Sequence, residues 1–295
     1  MSGRFKKGWD WLAGRSRGQR WLIKSCLLAV YTLVVFFPRP DQLLKQLPRW
    51  KNPDSLIETN VPFMAEINLK IDEQLKPDGT KNDEMKTVEK FVYREIKYGY
   101  DWDVWGNTDY WPTVAEIWAN KREDCDGQAV LAASILKSRG FDEVRIVGNL
   151  SHVWVAAGTN EVMSPQADKN FQRVDGKLKV RFPRVGTFLL TWAHINRFPA
   201  LRSLLLLAVV LLVALHPVGD MKRWWMAFGV GAAGLLLLYD WGGKYLKSSG
   251  TGASLDFWAG NLLVLLAIAL ALLVKPKMAL ANYALCKISL FLRAV

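Results

Sequence analysis

The sequence predicts an α+β soluble domain with transmembrane helices on both sides. Three observations predict it. Across the 295 residues, basic, aromatic and long aliphatic runs fill residues 1–37 and the stretch from 187 onward, whereas residues 40–185 have a mixed, globular composition. Within that middle, apolar stripes at helical spacing come first and β-branched runs follow, the order of an α+β chain. Helix start and stop signals fall where those stripes begin and end. The formal net charge of +12 sits beside hydrophobic runs, so anionic lipid head groups are its expected partner. No readable nucleic-acid module accompanies it, and no nucleic acid is expected as partner.

Residues 1–20 carry six basic side chains from Arg4 to Arg20 against Asp10. Phe5, Trp9 and Leu12 fall at i, i+4, i+7, which fits an interfacial helix; a disordered basic tail fits the composition equally. Residues 21–37 read as a transmembrane helix with Lys24 snorkelling, because the small-residue cleavage site of a signal peptide is missing. Residues 38–60 read as a proline-punctuated linker with at most one helical turn. Residues 61–186 form the soluble domain. Helices are expected over Phe63–Leu75 and Asp83–Lys97, with a short one after the capping box of Thr113 and Glu116. Asp124 caps a central helix from Cys125 to Arg139, and Gly140 ends it. Val144–Leu150, His152–Ala157 and Glu161–Ser164 then read as strands, with further strands over Gln172–Phe182.

Residues 187–295 form a membrane domain of about three transmembrane helices, Phe198–Val218, Trp224–Tyr239 and Phe257–Val274, then an interfacial C-terminal segment. With four crossings in all, the basic N-terminus, Lys222 with Arg223, and Lys275 with Lys277 share one side. That side is cytoplasmic by the positive-inside rule, with both termini there and the soluble domain periplasmic. Arg173, Lys177, Lys179, Arg181 and Arg184 pull the other way, but long translocated domains are largely exempt.

Chemistry concentrates between Trp111 and Ala157. Cys125 stands at a helix start, where unpaired amides favour a thiolate. His152 alternates with Trp154 and Ala156, so its ring and the Trp154 indole share a strand face. A Cys–His pair is the minimum for an activated thiol. The other cysteines, Cys26 and Cys286, lie in or beside apolar runs and do not decide the redox compartment. Asp101, Asp103, Asn107 and Asp109 invite a calcium loop, but Trp105 and Pro112 occupy two positions that need oxygen ligands. No metal or other cofactor is expected.

Asp124-Cys125-Asp126-Gly127, the apolar helix ending at Gly140, and Ser151-His152-Val153-Trp154-Val155 together resemble the core of the transglutaminase-like superfamily. Asp109-Tyr110-Trp111-Pro112-Thr113 with Glu116 resembles the bacterial transglutaminase-like cysteine proteinases in particular. The resemblance covers about residues 85–168. It implies a papain-like fold, a cysteine nucleophile, a histidine base, an acidic orienting residue, and cleavage or transfer at a protein or peptide amide. Where the family usually has Asp-Pro after the histidine strand, this chain has Ser164-Pro165. A three-residue turn over Gly158–Asn160 sets Gln166 opposite His152 and Ser164 diagonal to it, so Ser164 and Asp168 both stand as the orienting residue. The Cys125 amide supplies one oxyanion donor, and Trp111, Trp118 and Gln128 are the side-chain candidates for another. The expected function is a membrane-tethered cysteine hydrolase or acyltransferase. The missing aspartate keeps open a non-catalytic binding or assembly module in a membrane protein complex.

Overall fold

Three of the described soluble helices begin where a side chain satisfies an orphan amide, at Thr80, Thr113 and Asp124. In the computed structural model, which describes residues 8, 10–148, 152–164, 171–174, 177–180, 185–215, 221–248 and 252–272, two complete capping boxes are present. Thr80 and Asp83 start one helix, and Thr113 and Glu116 start another. The chain runs α1 (Arg17–Phe36), α2 (Pro40–Lys51), a 3₁₀ turn (Pro53–Leu56), α3 (Met64–Asp72), α4 (Lys81–Glu95), β1 (Lys97–Tyr98), α5 (Asp101–Val104), α6 (Val114–Asn120), β2 (Arg122–Glu123) and α7 (Cys125–Ser138). Strands follow: β3 (Val144–Gly148), β4 (Val153–Ala157), β5 (Asn160–Val162), β6 (Phe171–Val174) and β7 (Lys177–Val180). Four further helices close the described chain: α8 (Val185–Ile195), α9 (Ala200–Leu215), α10 (Met221–Lys247) and α11 (Leu255–Leu272). The protein is therefore mostly helical with small sheets.

Contacts divide the chain into two units, Phe36–Thr191, and Met1–Val35 with Trp192–Val295. In the first, α7 is the central element. Every residue from Asp126 to Leu136 is buried, and the helix packs against α3, α4, α6, β3 and β4. Its apolar surface runs all round because neighbours surround it. The core joins Ile67, Phe91, Ile117, Leu131, Ile135, Trp154 and Val155. Gly140, at φ +78°, adopts the left-handed conformation that ends α7.

β4 lies between β3 and β5 in an antiparallel sheet, and β6 pairs with β7 in a separate hairpin. The register corrects the expectation for the histidine strand. Ala157 pairs with Asn160 and Val155 with Val162, so the turn holds two residues, Gly158 and Thr159. Gly158 at φ +60° supplies the positive φ that such a tight hairpin needs at its first position. Ser164 falls one place away from the three-residue-turn register, and a one-residue slip exchanges strand faces. Asp168 and Gln166 lie outside the described residues, as does the interfacial segment expected after Met278.

The linker is also corrected. A twelve-residue helix, α2, fills most of it, with Pro40 in its first turn and Asp41 favourable to the helix dipole.

Among the described residues two helices are long and apolar enough to cross a membrane, Arg17–Phe36 and Lys222–Lys247. A third span is present only if α8 and α9, bent by 88° at their junction, act as one; Leu255–Ala271 is apolar but shorter. Gly234 and Gly260 let α10 and α11 touch backbone to backbone: a Cβ on Gly234 would stand 2.8 Å from the Gly260 carbonyl oxygen. Trp224 and Trp241 on α10 are separated by about 25 Å at helical rise, which suits two aromatic belts.

Candidate functional site

α7 starts at Cys125 because Asp124 holds extended backbone and its carboxylate accepts the Asp126 amide at 3.2 Å. Cys125 as a residue is half-buried at this first turn, with its sulfur turned inward. The backbone N–H of Val153 and the cysteine's own amide both point at it and favour the anion. Val153 is the first residue of β4 and follows His152. The nucleophile candidate therefore meets the histidine strand at its very start.

The His152 ring lies nearly parallel to the Trp154 indole, centroids 6.3 Å apart, so the expected shared direction is present. Its Nε2 is 2.8 Å from the Met163 carbonyl oxygen. A carbonyl only accepts, so Nε2 carries the proton and donates it there. In the neutral ring Nδ1 is then the basic nitrogen. Met163 is buried and holds φ +62°, left-handed backbone that a residue with a Cβ adopts at a cost of about 1 kcal/mol or more. That local strain aims its carbonyl at the ring. The group on Nε2 is thus a main-chain oxygen and not the side chain of Ser164, the next residue.

The side-chain oxyanion candidates have other partners. Gln128 Nε2 donates to the Ile96 carbonyl at 3.1 Å. Trp118 stacks on Phe63 and Phe91 beneath the Lys121 ammonium. The Trp111 indole lies beside the Asp109 carboxylate and favours its anion, and its backbone amide donates to Gln46 Oε1 at 2.8 Å.

No protein-family model, characterised protein or solved structure matches this chain.

Around the sulfur the structure gathers acids that the sequence reading did not connect. Asp101 from α5, Glu123 from β2, and Asp124 and Asp126 on either side of the cysteine place ligand oxygens within 4.8 Å of one another. Asp101 Oδ2 accepts the Tyr110 amide at 2.6 Å, and Glu123 Oε1 accepts the Trp105 indole at 2.7 Å. Their second oxygens, Asp101 Oδ1 and Glu123 Oε2, are buried without a hydrogen-bond partner. Three of the four acids are buried, so they cannot all stay ionised without compensation. Burial and the neighbouring Asp124 push Glu123 up to about 9 and raise Asp101 and Asp126 well above the usual carboxylate range. The other compensation is a hard cation. Oxygens on opposite sides of a calcium ion stand about 4.8 Å apart, and an all-carboxylate donor set suits calcium or magnesium. The four residues fit such an ion. The calcium loop weighed from sequence does not form: Asp103 faces Arg122, Asn107 bonds the Arg39 backbone, and Asp109 bonds Gln46 and Trp50.

These acids act on the thiol. Burial first, then Asp124 and Asp101, raise the Cys125 pKa far above its ordinary value, outweighing the two amides. Burial and these carboxylates thus oppose the thiolate expected from the helix start. Tyr98, half exposed near the same acids, is raised for the same reasons.

Proposed function

We propose that the chain is a membrane-tethered thiol enzyme acting on a protein or peptide amide, hydrolase or acyltransferase, of the transglutaminase-like kind. The observation that carries the reading is the meeting of the Cys125 sulfur with the start of the His152 strand, while Nε2 of that ring is pinned by the Met163 carbonyl. Cys125 sulfur attacks the amide carbonyl as His152 Nδ1 takes the thiol proton. The C–N bond breaks, the proton passes to the leaving amine, and water or another amine resolves the thioester. Neutralising Asp101 and Asp124, by protons or by a cation, removes the Coulomb part of the thiol's raised pKa and leaves the amides of Cys125 and Val153 to favour the anion.

For localisation we propose a multi-pass membrane protein with a periplasmic soluble unit. Lys222 and Arg223 begin one end of α10, whereas Asp240, Lys244 and Asp256 balance charge near the other.

The high thiol pKa favours a second reading, a binding or assembly module built on the same fold. Acylation separates the two. The full chain in detergent, given a p-nitrophenyl ester, should release a stoichiometric burst of nitrophenolate and carry the acyl group on Cys125 by mass spectrometry. His152→Ala should lose the burst. Equal, slow acylation of both proteins at scattered lysines would leave only the binding module.

A further inference from the structure

Helix α2 is amphipathic with its faces reversed. Its inward side is polar: Gln42 and Gln46 are 5% and 0% exposed, and Arg49 is largely covered. Its outward side carries Leu44 and Leu47, 69% and 47% exposed, with Pro48 and Lys51 in the same sector. The polar face has a structural reason. Gln46 donates to Asp109 Oδ2 and accepts from the Trp111 amide, both at 2.8 Å, while Arg49 donates to the Trp111 carbonyl and pairs with Glu116. The apolar face has no such reason within the soluble unit. It does have a neighbour by connectivity. Helix α1, long and apolar enough to cross a membrane, ends at Phe36, and α2 begins at Pro40, so the chain keeps the start of α2 within about 14 Å of the end of α1. Arg39, Lys45 and Lys51 add cations suited to lipid phosphates.

We infer that α2 is an interfacial helix, seated with Leu44 and Leu47 among the lipid acyl chains and its glutamine face against the soluble unit. The occupant of the exposed face is the bilayer itself. The Trp105–Trp111 loop, held by Gln46 and Arg49, then lies beside the head groups, and with it Asp109. This placement does not depend on whether Cys125 is catalytic.

The test uses the full chain with Cys26, Cys125 and Cys286 changed to serine, one copy per nanodisc of phosphatidylcholine and phosphatidylglycerol. Nitroxides are placed singly on Leu44→Cys, Leu47→Cys and Asp41→Cys, all exposed positions. Collision rates with oxygen, which concentrates in lipid, are compared with those of a water-soluble nickel chelate. Labels at 44 and 47 should collide several-fold more with oxygen than with nickel, and the label at 41 should give the lower ratio. Nickel-dominated collisions at 44 and 47 would overturn the proposal in favour of a solvated face. Low collision rates with both reagents would overturn it in favour of a protein cover.

Discussion

Replacing Glu123 with glutamine isolates the electrostatics of the acid cluster. Trp105 keeps an oxygen to bond, and the buried oxygen that lacks a partner becomes an amide able to donate to the neighbouring carboxylates. The sign follows from the direction of the shift. Glu123 titrates at about 9 in the folded protein against an ordinary value of 4.5, so the native state binds the proton more tightly. Its contribution is therefore complete below pH 4.5 and is lost as pH rises toward 9. At pH 8 the unfolded chain is ionised and the folded site is still mostly protonated, a difference of about 3.5 pH units, or about 5 kcal/mol at 1.36 kcal/mol each. That is the ceiling on what Glu123→Gln can gain at pH 8 without divalent ions; near pH 4.5 the gain should vanish. Thermal unfolding of the full chain in detergent with EDTA reads it, at about 2–4 °C per kcal/mol. Calcium should stabilise the wild type by about 2.7 kcal/mol at a hundredfold excess over its Kd, and stabilise the variant less. Equal melting of the two proteins at pH 8, or a gain independent of pH, would refute the reasoning.

Two further substitutions probe what holds the cluster and its loop. In Gly127→Ala the new Cβ would stand 2.7 Å from Glu123 Cγ and 2.8 Å from its Oε2, so Glu123 must leave the cluster. Alanine alone should favour the helix by about 1 kcal/mol; the expected outcome is instead a net loss and a calcium response close to zero, measured by calorimetry. Gln46→Ala orphans the Trp111 amide and removes a donor from Asp109, and should cost about 2–4 kcal/mol in urea unfolding.

Local signals made much of the fold legible. The stripe Met85, Val88, Phe91, Val92 marks α4, the Thr113–Glu116 pair marks the start of α6, and Asp124 with Gly140 brackets α7. These depend on neighbours three or four residues apart. The failures depend on something else. The β4–β5 register turned on whether Gly158 takes a left-handed φ in a two-residue turn, a choice that the alternation of side chains leaves open. α2 escaped notice because its polar face points inward, the reverse of the pattern that marks a helix on a soluble core. In the site, Cys125 and His152 stood out by residue type and context. The Met163 carbonyl did not, since every residue has one and only backbone strain aims this one. Asp101 and Glu123 join Asp124 and Asp126 from α5 and β2, so the acid cluster beside the cysteine was invisible as a group.

The central claim is that His152 accepts the proton of the Cys125 thiol, and the alkylation rate of Cys125 by iodoacetamide across pH 5–10 tests it most directly. Mass spectrometry follows that single thiol in the wild type and in His152→Ala, with calcium and with EDTA. The account predicts that the wild type in EDTA reacts only at high pH, that calcium brings out a reactive limb at lower pH, and that this limb is absent from His152→Ala. Superimposable profiles for the two proteins would contradict it and leave Cys125 a protonated core thiol.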